Sequence, residues 1–222
     1  MANCAGQRSL HLFVYIGGRF WHIGRGSQKE FQERKSRRNT MILPIVKYGD
    51  ETLREKAVPV SFITDEIRKL AADMLETMYA ARGVGLAAEQ VGRCERICVI
   101  DVPKDCEKEA YRESNEAAAR MPLVLVNPEI LAAEGEQRDD EGCLSFPKIG
   151  SPVTRANTVT VTFLDLDGMR QTLTVSGLLA RVVQHETDHL DGILFVDKLS
   201  QVQMLSIAGK LRRLKTATRR GK

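Results

Sequence analysis

Three features of the 222-residue sequence predict an α+β fold: a helical apolar stripe after Thr64, two short apolar runs followed by an alternating hairpin, and a second helix near residue 180. The expected architecture is small antiparallel or mixed sheets packed around that second, central helix, with a further helix at the C-terminal end. The length suits one domain with a sizeable core. A content of 43% hydrophobic and 28% charged residues excludes a fibrous repeat and a wholly disordered chain. No apolar run reaches the roughly 18 residues that a membrane span needs, so a soluble protein with no membrane partner is expected.

Each element can be justified in order. Residues 1–40 carry eight Lys/Arg against two Glu and hold Trp21, the single tryptophan. They read as a basic extension, either mis-started upstream or a targeting segment. No small-residue cleavage pattern follows the apolar stretch Leu10 to Gly18, which argues against secretion. Met41 opens MILPIVKYGD and can itself be the first residue of the working protein. Thr64 is placed to cap a helix, with Asp65 and Glu66 in its first turn. Ile67, Leu70, Ala71, Met74, Leu75 and Met78 form its buried face, and Gly83 closes it.

Arg96 to Asp101 and Leu123 to Asn127 read as buried strands, separated by an acidic stretch, Pro103 to Met121, that reads as a surface loop. Thr158 to Leu164 and Gln171 to Val175 alternate around Asp165-Leu166-Asp167-Gly168, a hairpin signal. Ser176 can cap a helix from about Leu178 to Leu190. Beyond it, Leu199, Val202, Leu205, Ala208, Leu211 and Leu214 recur every three residues and predict a docked tail helix. Residues 201–222 hold seven Lys/Arg and no acid, whereas 41–200 carries a net charge of −9. The expected division is an extension (1–40), a catalytic domain (41–200) and a basic helix or tail (201–222). Five cysteines without regular spacing point to a reducing compartment.

The chemistry concentrates in His185-Glu186-Thr187-Asp188-His189. Spacing of four stacks both imidazoles on one helix face, and Glu186 lies beside them as a base, the pattern of a catalytic metal site. Such a site needs a third protein ligand and one open position. No Glu follows Glu186, and Phe195 stands where the extended H-E-x-x-H-x-x-G-x-x-H motif requires His. Asp191 and Asp197 are the downstream alternatives. Upstream, His11 and His22 lie in the basic extension, and Cys143 sits among Gly, Ser and Pro in Glu141-Gly142-Cys143-Leu144-Ser145-Phe146-Pro147 and is taken as the third ligand. Cys94, Cys98 and Cys106 read as small buried thiols. Arg155 can pair with Glu141.

Together, GVGLAAEQ (Gly83 to Gln90), EGCLS (Glu141 to Ser145) and HETDH (His185 to His189) resemble the three signature motifs of the peptide deformylase family, in that family's order. The first motif alone also fits a dinucleotide-binding G-x-G-x-x-A, but a helix precedes it where that reading demands a strand. The resemblance spans about residues 41–200. It implies removal of the formyl group from the N-terminal formylmethionine of nascent chains, with Cys143, His185 and His189 binding one divalent metal. It implies Fe(II), while the ligands alone also admit Zn(II).

In this reading Glu186 accepts a proton from the attacking water, and the Gln90 amide and Leu144 N–H stabilise the charge on the formyl oxygen. Gly83 and Gly85 let the backbone approach the substrate. Val84, Leu178 and Val182 line the methionine pocket by helical spacing from His185. Formyl-Met nascent peptides are the implied partners, with the ribosome reached through the basic tail, a monomeric chain and a cytoplasmic location. A transit peptide within 1–40 would place it in a plastid or mitochondrion instead. The competing functions are an HExxH metallopeptidase and a non-catalytic, metal-stabilised RNA-binding domain.

Overall fold

The computed structural model describes residues 12–16, 19–23, 40–106, 110, 111, 114, 115 and 120–221. Much of the basic extension, His11 included, lies outside the described residues. Within it, β1 (Leu12–Ile16) and β2 (Arg19–Ile23) pair antiparallel.

α1 (Asp65–Ala80) begins as its cap predicts: Thr64 Oγ1 accepts from the Ile67 N–H at 3.4 Å. Its end differs from expectation. Arg82, at φ 59°, takes the left-handed position, and the Gly83 N–H returns to the Met78 carbonyl at 2.8 Å. Gly83 is needed for space instead, because a Cβ there would lie 2.7 Å from Leu144 Cδ1.

A five-stranded antiparallel sheet runs in the order β3-β4-β5-β8-β9, from β3 (Gly85–Ala87) and β4 (Ile97–Ile100) through β5 (Leu123–Glu134) to β8 (Thr158–Leu164) and β9 (Arg170–Ser176). Side chains of β4 alternate between two cores. Ile97 and Val99 pack with Leu70, Met74 and Met78 of α1, while Cys98 and Ile100 pack with Leu179 and Val183 of α2 (Gly177–Leu190). A strand covered on both faces has no polar side, which is why ICVI reads as a continuous apolar run. The β5 strand extends seven residues past the predicted Asn127. Its first half pairs with β4 and its second with β8, with register shifts on both sides of Glu129 and Ile130. Pro128, which has no N–H to donate, sits at the first shift.

A second hairpin, β6 (Gln137–Gly142) and β7 (Gly150–Arg155), was not legible in the sequence, since QRDDEG shows no apolar alternation. It holds the Cys143 loop between its strands. The acidic stretch also departs from a plain surface loop. Asn115 is buried, its Nδ2 donating to the Ser176 carbonyl and its Oδ1 accepting from the Ser176 N–H, both at 3.0 Å. The ring of Tyr111 covers Gly177, which has φ +63° and no room for a Cβ. Asn115 thereby fixes the residue before α2. Ser176 stands at the N-cap, but its hydroxyl meets Thr158 Oγ1 at 2.9 Å and makes no cap bond.

α3 (Gln201–Arg220) starts with a Ser200/Gln203 capping box. Its docked face is Met204, Ile207, Leu211 and Leu214, packed on Leu53, Phe146, Leu194 and Phe195. The predicted every-third stripe is corrected: Val202 and Leu205 are exposed. Three residues turn only about 300°, so a strict three-residue stripe winds off the face, while steps of three and four stay on it. Among the described residues no helix is long and apolar enough to cross a membrane.

Candidate metal centre

Two elements bring the ligand candidates together. α2 presents His185 and His189 one turn apart, with ring centroids 4.9 Å from each other, and the loop after β6 delivers Cys143 opposite them. The donor atoms of Cys143, His185 and His189 all lie within 4.8 Å of one another, and Cys143 Sγ is 3.2 Å from His189 Nε2. The downstream alternatives are engaged elsewhere: Asp191 accepts from Arg96 at 2.8 Å, and Asp197 pairs with Arg54. Of the remaining cysteines, Cys98 and Cys106 are buried as expected, whereas Cys94 is exposed.

Behind the candidate ligands lies a buried charge network. Glu141 Oε1 is 2.6 Å from His185 Nδ1 and accepts from Arg155 Nη2 at 2.6 Å. Its Oε2 accepts from Arg155 Nε and Arg181 Nη1, both at 3.0 Å. Burial alone would raise the Glu141 carboxyl, but His185 and Arg155 outweigh it and hold it well below the usual carboxylate range. Burial pulls His185 the other way, yet Glu141 and Cys143 increase its affinity for a proton. That proton belongs on Nδ1, facing Glu141, which leaves Nε2 as the free donor. The expected Arg155–Glu141 pair is present. Arg181 was missed, although its position four residues before His185 on a buried face signals a carboxylate partner.

The first motif closes the site. β3 places Gly85 against the Glu186 carboxylate, and Glu186 is buried, its Oε2 lacking a hydrogen-bond partner among the described residues. Burial raises Glu186 to about 7, opposed by His185 and reinforced by Glu141. Gln90 accepts from the Ala87 N–H through Oε1 at 2.8 Å and turns its Nε2 toward Cys143 Sγ and Ser145 Oγ, each 3.3 Å away. Leu144 follows Cys143 directly and packs near Gly83. Val84 and Leu178 are partly buried and Val182 buried, all in one core cluster. One cysteine sulfur, two imidazoles and a buried carboxylate beside them fit a single divalent metal ion.

The profile of the Polypeptide deformylase family matches residues 42–204. The peptide deformylase of Desulfitobacterium hafniense is 52% identical over 157 residues, covering 71% of this chain and 94% of that protein. The one from Nitrosococcus oceani is 47% identical over 169 residues, covering 76% and 93%. The crystal structure of a peptide deformylase from Legionella pneumophila superposes with a TM-score of 0.68 at 41% identity, covering 81% of this chain and 98% of that one. A Synechococcus elongatus peptide deformylase, crystallised with actinonin, gives 0.67 at 39% identity, covering 78% and 88%.

Proposed function

The chain belongs to the polypeptide deformylase family, and from that membership we propose how its own residues carry out the family's reaction. It hydrolyses the formyl group from the N-terminal formylmethionine of nascent polypeptides and releases formate. The observation that carries the reading is the convergence of Cys143, His185 and His189 beside the buried Glu186. These three residues hold the metal, Fe(II) or Zn(II). When bound, it supplies Lewis-acid activation of water and of the formyl oxygen.

The protein residues do the rest. Glu186, whose proton affinity is raised by burial, takes the proton of the attacking water and returns it to the leaving amine. The Gln90 Nε2 and the Leu144 N–H face the formyl oxygen as negative charge develops there. Glu141, clamped by Arg155 and Arg181, holds the His185 ring in register. Gly83 and Gly85 let the substrate backbone run close to β3, and Val84, Leu178 and Val182 receive the methionine side chain.

The catalytic unit spans 41–200, preceded by the basic extension. On α3, Lys210, Arg212, Arg213, Lys215, Arg219 and Arg220 are exposed, and we assign them to ribosomal RNA, with a monomeric enzyme acting in the cytoplasm or an organelle. Binding through them should weaken steeply with salt. Comparing formyl-Met-peptide with its unformylated twin tests the activity: formate from the first and no cleavage of the second is expected. Peptide-bond cleavage without formate would instead favour a metallopeptidase.

A further inference from the structure

The segment ahead of α1 contributes a charge to this centre that the three motifs do not contain. Lys47 stands alone among apolar neighbours in Met41-Ile-Leu-Pro-Ile-Val-Lys-Tyr. The backbone around it is pinned to both loops of the site: the Val46 N–H donates to the Gln90 carbonyl at 2.8 Å and the Tyr48 N–H to the Ser145 carbonyl at 3.0 Å. Between these two bonds the Lys47 side chain turns inward, and Nζ donates to the Leu144 carbonyl at 2.8 Å. Burial lowers its affinity for a proton, and the neighbouring Cys143 charge partly offsets that loss. The Leu144 carbonyl tether holds this ammonium beside the loop that carries Cys143. Cys143, the residue before Leu144, would carry a negative charge as a metal-bound thiolate.

We propose that Lys47 is a positioning residue of the metal centre: it ties down the Cys143-Leu144 loop through the Leu144 carbonyl and sets its charge against the Cys143 thiolate. The consequence is electronic as well as geometric. A cation near sulfur lowers the energy of the thiolate lone pairs, so the sulfur gives less charge to the metal and leaves it a stronger Lewis acid. The same carbonyl tether restrains the loop that carries the Leu144 N–H, one of the two donors assigned to the formyl oxygen. The inference rests on Cys143 being a metal ligand.

The test uses the full chain loaded with Co(II), whose thiolate-to-metal charge-transfer band reports the energy of the sulfur electrons without any substrate. Lys47→Met should move the band to longer wavelength, and Lys47→Arg should restore most of the shift. Lys47→Gln keeps a neutral donor and should follow the Met variant. On formyl-Met-peptide, kcat of the Met variant should fall about tenfold with KM little changed, the loss of one charge-assisted hydrogen bond near the reacting centre. A band that stays in place in both the Met and Gln variants overturns the proposal, even if kcat falls, because Lys47 would then be only a strut. Absence of any thiolate band in the parent protein refutes Cys143 as a ligand, a separate failure.

Discussion

Gly85 lies against the carboxylate of Glu186 so closely that a Cβ on residue 85 would sit 2.2 Å from Glu186 Oε1. The glycine of β3 and the carboxylate of α2 therefore form one unit, although they are a hundred residues apart in sequence. The obstructed atoms, Oε1, Cδ and Cγ, all belong to the Glu186 side chain and none to the backbone, so Gly85→Ala should displace the carboxylate and leave the fold intact. We expect unchanged metal content and a kcat lowered about a hundredfold, the usual cost of misplacing a catalytic group by an ångström. Full activity of Gly85→Ala would show that the Glu186 position is not critical.

Glu141 offers a second test. It contacts His185 Nδ1 at 2.6 Å and two buried arginines, so it orients a candidate ligand from behind. Glu141→Gln should weaken metal binding about 10- to 100-fold in chelator competition. Because it also leaves Arg155 and Arg181 buried without their shared anion, thermal stability should fall by several kcal/mol. Unaltered metal affinity would remove Glu141 from the support of the centre.

The tail helix separates two readings of one sequence. Ile207 and Leu211 are buried in the core formed with Phe146 and Leu194, while Val202 and Leu205 face outward. Leu211→Ala should cost about 2–5 kcal/mol. Val202→Ser and Leu205→Ser should each stay within about 0.5 kcal/mol in urea unfolding. The reverse ranking would restore the every-third stripe as the docked face.

The elements legible in the sequence are those whose signals are local. Thr64 with its acidic first turn, the Asp165–Gly168 hairpin, and the spacing of His185 and His189 each specify geometry within a few residues. Elimination pointed to Cys143, whose sulfur lies beside His185 and His189. What escaped depends on partners distant in the chain. Gln137–Gly142 forms a strand because Gly150–Arg155 pairs with it, and the strand itself carries no alternation. Asn115 is buried because its amide completes the backbone of Ser176. The inward turn of Lys47 depends on the Leu144 carbonyl, almost a hundred residues away. A lone charge in an apolar segment, as at Lys47, or on a buried helix face, as at Arg181, is the one available hint in such cases.

The Asn115 contact carries its own expectation. Its side chain satisfies both the N–H and the carbonyl of the residue that precedes α2. Asn115→Leu would leave those groups short of a partner at a site with little water, for about 1–3 kcal/mol per unsatisfied group. A melting temperature lowered by several degrees is expected, with Asn115→Asp intermediate because it keeps only the acceptor. A melting temperature equal to that of the parent would mean that the 103–121 stretch does not stabilise the start of α2.

Glu89, one residue before Gln90, is 1% exposed, and neither carboxylate oxygen has a hydrogen-bond partner among the described residues. Burial raises it to about 8, with Arg96 pulling it down and Glu186 pushing it up. In the unfolded chain an ordinary glutamate titrates near 4.3. Between these two values the unfolded state gives up its proton while the folded state keeps it. The stabilisation from the neutral, buried form is thus complete below about pH 4.3 and is lost as the pH rises toward 8. Glu89→Gln replaces the titrating group with a neutral one of similar shape and removes that slope. At pH 8 the variant should exceed the parent by a few kcal/mol, or about 5 °C or more in melting temperature, and the gap should shrink steadily toward pH 5. Thermal melts of both proteins across that range decide the matter. A gap that does not change with pH would mean that Glu89 is ionised throughout in the folded enzyme, held by a partner such as Arg96.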